Sequence, residues 1–262
     1  ATSNIGLGAN AVDSITTGDY NVGLGDNAGT AITTGARNTA IGYNALSTNT
    51  VTSGNTAVGK DALKVSVADY NTAVGDGALA ANTTGASNVA LGRLGRGSLG
   101  ANTTASSNVA IGNDALAVNT TGTQNVAVGK DALKANTTAS YNNAFGYQAL
   151  MTQVADGVEN NAFGTAALQM NTTGDHNSAF GNEALEENTT GRHNVGFGNY
   201  ALTNNTTADN NCAIGSSALG LNVTGANNIA IGKNAMYNNT TGANNVAVGY
   251  QALDSNTTGA DN

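Results

Sequence analysis

The chain has 262 residues with 35 glycines, no proline or tryptophan and only 10% charged residues, so internal repeats must be sought before any ordinary globular domain is assumed. Its 9 basic and 17 acidic residues give a net charge of −8; this argues against nucleic acid, whose phosphates call for Lys and Arg clusters, and against an anionic membrane surface. The lone cysteine, Cys212, excludes an intrachain disulfide framework.

No charged-then-apolar leader opens the chain, and no run of about 18 apolar residues occurs in it. The sequence starts at ATSN and stops at TTGADN, inside its own repeat. It reads as a segment of a longer protein whose export signal and anchor lie elsewhere.

An asparagine followed four residues later by glycine recurs at Asn4, Asn21, Asn38, Asn55, Asn71, Asn88, Asn108, Asn125, Asn142, Asn160, Asn177, Asn194, Asn211, Asn228 and Asn245, and Asn262 opens the next copy. The steps are 17 residues, except for 16 after Asn55, 20 after Asn88 and 18 after Asn142. Numbered from its asparagine, each copy follows N-x-A-φ-G-x-x-A-L-x-x-N-T-T-G-x-x, with φ apolar. Position 5 is glycine in every copy, position 3 is Ala or Gly, position 4 is Leu, Ile, Val or Phe, and position 9 is nearly always Leu. Asn108, Gly112 and Leu116, with Asn228, Gly232, Asn245 and Gly249, typify these structural positions.

Within each copy the first element, x-A-φ-G, reads as a short strand. The second, N-T-T-G, reads as a turn in which Asn and Gly can supply positive φ. Ala105, Ala139 and Ala208 replace that glycine, so a left-handed residue is not obligatory there. Two-helix repeats need about 33 residues or more, and Asn, Thr and Gly are poor in helix interiors. The spacing therefore predicts an all-β chain, a parallel β-solenoid over residues 1–262 with one copy per turn. Turns stacked about 4.8 Å apart would make a rod of roughly 70 Å.

Large apolar residues at positions 4 and 9 are expected inside, and the fixed small residues mark a close backbone approach. That is little apolar burial for each turn ordered. Assembly of several chains through the small-residue face is expected. For the position-1 asparagines a ladder of side-chain amides is favoured. At position 12, a ladder and simple turn preference are both open.

Four irregular features follow in chain order. RLGRGSLG, residues 93–100, puts Arg93 and Arg96 on a bulge, either a partner contact or a tolerated loop. MTQVADGVEN, residues 151–160, lacks N-T-T and has the same two readings. His176 and His193 hold position 17 of adjacent copies, with Asp175 beside the first. They could share a metal, but two variable surface positions is the favoured reading and no metal site is assigned. Cys212, at position 2, reads as a buried stand-in for Val or Thr rather than a nucleophile.

N-x-T sequons occur at position 12 in Asn82, Asn102, Asn119, Asn136, Asn171, Asn188, Asn205, Asn222, Asn239 and Asn256, candidates for a column of glycans or simply for turn chemistry. Glu183, Glu186 and Glu187 form the one dense acidic group, read as a solvated edge rather than a paired-carboxylate centre. No G-x-x-x-x-G-K-[ST] loop and no G-G-x-G-x-D calcium repeat occurs. The chain is expected to be no enzyme and to need no cofactor.

The segments NVAIGNDA (Asn108–Ala115) and NIAIGKNA (Asn228–Ala235) resemble the head repeats of YadA-type trimeric autotransporter adhesins. The resemblance runs through all fifteen copies but covers only the N-x-A-φ-G-x-x-A half of each; the N-T-T-G arm departs from it. It implies a left-handed β-roll, three chains around a common axis, and an extracellular adhesin on a bacterial surface. Similar arrays in phage and bacterial tail-fibre-like proteins leave a virion fibre open. The expected function is a non-catalytic structural and adhesive fibre segment, whose partners are further copies of itself and an unknown surface receptor or glycan. No nucleic-acid or membrane contact is expected in this segment. An ice- or crystal-surface binder using Thr ladders is the alternative, and a polysaccharide depolymerase a more distant one.

Overall fold

The computed structural model describes residues 3–92 and 97–262. Arg93 and Arg96 lie outside the described residues. The chain is all-β and forms a parallel β-solenoid with about 17 residues per turn. It divides into two compact units, Ala1–Lys130 and Asp131–Asn262. The first holds β1 (Ile5–Leu7), β2 (Val22–Leu24), β3 (Thr39–Ile41), β4 (Thr56–Val58), β5 (Thr72–Val74), β6 (Val89–Leu91), β7 (Val109–Ile111) and β8 (Val126–Val128). The second holds β9 (Asn143–Phe145), β10 (Asn161–Phe163), β11 (Ser178–Phe180), β12 (Val195–Phe197), β13 (Cys212–Ile214), β14 (Ile229–Ile231) and β15 (Val246–Val248).

Within each unit successive strands pair in parallel and position for position, as in Ala110↔Ala127 and Ala213↔Ala230. The irregular copies keep this register. Val89 still meets Val109 across the 20-residue step, and Asn143 meets Asn161 across the 18-residue step. Strand register is therefore insensitive to the length of the connection between strands.

Each strand is cut short by the position-5 glycine. At Gly112 φ is +132°, and a Cβ there would sit 2.6 Å from the Gly129 carbonyl oxygen. Both the conformation and the distance demand glycine. The remaining bends differ from the expected N-T-T-G turn. Positive φ falls at positions 7, 9 and 17, as in Asp114, Leu116 and Gln124 with φ of 58°, 51° and 57°. Position 15 has no such φ; its glycine gives room, since a Cβ on Gly191 would press on the Asn188 side chain and the Ala208 carbonyl, but Ala105, Ala139 and Ala208 stand there in other copies.

Left-handed Leu is disfavoured, yet it recurs at position 9 with the side chain fully buried from Leu46 to Leu219. The next turn compensates: the Leu185 N–H donates to the Ala201 carbonyl at 3.0 Å. One copy departs in an instructive way. Gly29 takes position 9 there, and Ile32, at position 12, is fully buried in its place. A Cβ on Gly29 would lie 2.9 Å from Ile32 Cδ1, so the missing leucine is refilled from the other side of the core.

The core is narrow. It contains the alanines of positions 3 and 8, the leucine of position 9, and both asparagine columns, for example Ala179, Ala184, Leu185, Asn177 and Asn188. The expectation that position 4 lies inside is overturned. Strand side chains alternate between faces, and alanine takes the inward place at position 3. Positions 2 and 4 therefore point outward, leaving Phe197, Ile214 and Ile231 exposed at 56%, 40% and 38%. Small size at position 3 reflects the thin interior, not an approach by another chain.

The two asparagine columns use their amides differently. At position 1 the side chain bonds mainly to backbone. Asn228 Nδ2 donates to the Gly242 carbonyl at 2.8 Å, and its Oδ1 accepts the Asn245 N–H at 3.0 Å. Asn108 does the same with the Gly122 carbonyl and the Asn125 N–H. At position 12 the amides bond to one another, with Asn188 Nδ2 on Asn171 Oδ1 at 2.8 Å and Asn205 Nδ2 on Asn188 Oδ1 at 2.9 Å. The amide ladder favoured for position 1 is present in part, as in Asn245 Nδ2 on Asn228 Oδ1 and Asn38 Nδ2 on Asn21 Oδ1, both at 3.1 Å, and position 12 carries a second one. In the 18-residue copy Gln153 replaces that asparagine, and its Oε1 still accepts from Asn171.

This ladder also corrects the glycan reading of the sequons. Asn82, Asn119, Asn171, Asn188 and Asn239 are fully buried, and each Nδ2 is held by hydrogen bonds, such as Asn239 to Asn222 Oδ1 and the Gly242 carbonyl. The folded chain offers none of these amide nitrogens to a glycan. Replacing Asn188 by alanine strips partners from Asn171 and Asn205 at once, so the second unit should lose about 3 kcal/mol of stability in urea unfolding. A change below about 1 kcal/mol would contradict a structural ladder.

Candidate functional site

Two surfaces stand out once the fold is built. The first is the outward sheet face. In the second unit position 4 runs Phe145, Phe163, Phe180, Phe197, Ile214, Ile231 and Val248. Register alone brings these together, because equivalent residues of paired parallel strands lie side by side. Phe145 and Phe163 stack at 4.6 Å between ring centroids, Phe163 and Phe180 at 4.8 Å, and Phe197 tilts away at 5.7 Å from Phe180.

Position 2 lines the same face with the polar Asn143, Asn161 and Ser178 beside the stacked rings, then with Val195, Cys212, Ile229 and Val246. Cys212 is therefore half-buried on this face rather than a core residue. Burial pushes its thiol pKa up, which keeps it protonated and a poor nucleophile. In the first unit Leu24 and Leu91 are exposed at the corresponding places. Parallel sheets are ordinarily covered on both faces; here one face is covered by the solenoid's own core and the other is open.

The second surface is the corner formed by positions 16 and 17 of consecutive copies. Glu159, His176 and His193 follow one another at position 17, with Asp175, Arg192 and Asp209 at position 16. His176 Nε2 lies 3.2 Å from Glu159 Oε2 and its Nδ1 lies 3.4 Å from Asp175 Oδ1. The imidazoles of His176 and His193 are 4.9 Å apart between centroids. Arg192 Nε is 3.6 Å from Asp175 Oδ1, and the Arg192 N–H donates to Asp209 Oδ1 at 2.7 Å. The sequence placed the two histidines side by side with Asp175 next to the first; Glu159 emerges from the geometry.

The other singled-out groups separate from these surfaces. Glu186 is half-buried beside Glu183 and Glu187, and its pKa is raised by burial first and by the two neighbouring carboxylates next. The Asn182 amide donates to Glu183 at 3.0 Å. The threonine ladders are largely spent on the backbone: Thr172, Thr189 and Thr240 at position 13 donate their hydroxyls to the carbonyl of the next turn. Position 14 holds the outward threonines, and Val51 and Ala155 interrupt that column. No helix among the described residues is long and apolar enough to cross a membrane.

Comparison with known proteins assigns no family to this arrangement: no family model matches the chain, and no curated protein is similar to it.

Proposed function

We propose that the chain is a non-catalytic structural and adhesive segment of an extracellular fibre on a bacterial surface or a virion, and that copies assemble through their outward sheet faces. The observation that carries this reading is the open apolar ladder of position 4 on a parallel sheet, joined by position 2 in the last four strands. A contiguous apolar face of this kind marks an interaction surface. The resemblance to trimeric adhesin heads supplies the stoichiometry, three chains around a common axis, and the left-handed coil. In such an assembly the apolar ladders meet inside, while the position-13 to position-17 arms carry whatever recognises a receptor or glycan.

The adhesive part has its own test. Beads coated with the chain are washed over immobilised matrix proteins and glycans, and the same surfaces are assayed for released sugar. Retention on a subset of surfaces without release is expected. Cleavage of a polysaccharide would overturn the non-catalytic reading, and failure to be retained anywhere would remove adhesion from this segment.

A further inference from the structure

We propose that the corner of the second unit built by Asp175, His176 and His193 binds one divalent transition-metal ion of the zinc class. Each of the three residues offers a ligand atom, and these atoms lie within 4.8 Å of one another. Zinc–ligand bonds of about 2.0–2.2 Å in a tetrahedral shell put ligand atoms roughly 3.4 Å apart. Small rotations of the two exposed imidazoles and the half-buried Asp175 carboxylate close that gap. A fourth position then faces solvent, open to water or to a ligand atom of a partner.

The backbone beneath the ligands is already fixed. Glu159, His176 and His193 all have left-handed φ, at 58°, 56° and 56°. The His176 N–H donates to the Val158 carbonyl at 3.0 Å, and the His193 N–H to the Asp175 carbonyl at 3.1 Å. The two imidazoles are therefore held on neighbouring turns with their rings tilted by 31° rather than left to find each other.

Glu159 supplies the outer support that metal-bound imidazoles commonly have. Its Oε2 lies 3.2 Å from His176 Nε2 and can accept the N–H there. That tautomer leaves Nδ1, 3.4 Å from Asp175 Oδ1, with its lone pair toward the metal side. Two imidazoles with one carboxylate suit zinc, copper(II) or nickel(II), whereas calcium and magnesium call for an all-oxygen shell.

The one opposing feature is Arg192, whose guanidinium sits 3.6 Å from Asp175 Oδ1. It neutralises the carboxylate that the metal needs, so metal and guanidinium compete for Asp175. This gives the site a signature that scattered surface histidines would lack: removing Arg192 should strengthen binding.

The test uses the whole chain freed of any affinity tag. It is titrated with zinc chloride in a calorimeter, with calcium chloride as control, and with cobalt(II) chloride followed by visible absorption. One zinc per chain and the intense visible bands of four-coordinate cobalt are expected, with no calcium uptake. His193→Ala and His176→Ala should each weaken zinc at least about tenfold, and Arg192→Gln should tighten it several-fold. Far-UV circular dichroism on each variant separates lost ligation from lost fold. Zinc affinity unchanged in the double histidine variant, or weakened by Arg192→Gln, would overturn the assignment. The readout is metal uptake, so it stands or falls independently of assembly and adhesion.

Discussion

Gly181→Ala, a single methyl group, is expected to lower the stability of the second unit by about 3 kcal/mol or more, with a matching fall in the urea midpoint. The φ of Gly181 is +144°, and a Cβ would meet the Gly198 carbonyl oxygen at 2.5 Å and its carbon at 2.6 Å. The atoms in the way are backbone of the next turn, fixed by the ladder on both sides. Relief would require the turns to separate, and separation breaks bonds such as that from the Gly198 N–H to the Phe180 carbonyl at 2.8 Å. In a solenoid each turn is stabilised mainly by its neighbours, so the damage spreads along the unit.

Gly191→Ala is the matched control. It lies ten residues away in the same copy, at position 15, where Ala105, Ala139 and Ala208 occur naturally. There the demand is for space alone, so a loss well below that of Gly181→Ala is expected. Equal losses would mean that crowding, not the backbone conformation of position 5, sets the glycine requirement.

Phe180→Asp is the second large effect. It should abolish assembly while leaving the solenoid of each chain folded. Phe180 lies in the middle of the stacked run from Phe145 to Phe197 and outside the core, where Ala179 holds the inward place. A carboxylate there gives up the lone chain's ring contacts with Phe163 and Phe197 but leaves its core intact, because the half-buried side chain lies on the outer face. In an assembly closed about an axis the same substitution brings like charges together in a dehydrated interface and also removes aromatic contact area. Sedimentation should show the variant as single chains with unchanged β-sheet circular dichroism. A variant that still assembles would place the interface elsewhere on the chain.

Much of the fold is legible in the sequence because the repeat samples each position many times within one chain. The constant spacing gives the turn length, and the unvarying Gly8-to-Gly249 column marks the backbone position that tolerates no side chain. What misleads is the small residue at position 3. Alanine there suggests an approach by another chain, but period-two alternation forces Ala179 and Phe180 to opposite faces, and the narrow interior admits only the small one. The outward apolar ladder is therefore present in runs such as VAV and IAI, where hydrophobicity alone points position 4 inward.

The bends were less legible for a different reason. Leu116 and Gln124 have little intrinsic taste for left-handed backbone, and only Asp114 of the three tolerates it readily. Stacking on the neighbouring turns imposes it, so single-residue preference points instead to the Asn and Gly of N-T-T-G, which do not adopt it. The histidine corner was half legible. Spacing alone brought His176 to His193, but Glu159 and Arg192 acquire meaning only from distances to His176 and Asp175.

The central claim is that the open face of this solenoid exists to be covered by copies of the same chain. Its most direct test is the mass of the untagged chain by sedimentation equilibrium over a wide concentration range. A mass three times that of the 25.8 kDa chain is expected, collapsing to that of one chain in Phe180→Asp. A stable, soluble single chain across the whole range, with its apolar ladder left in water, would contradict it.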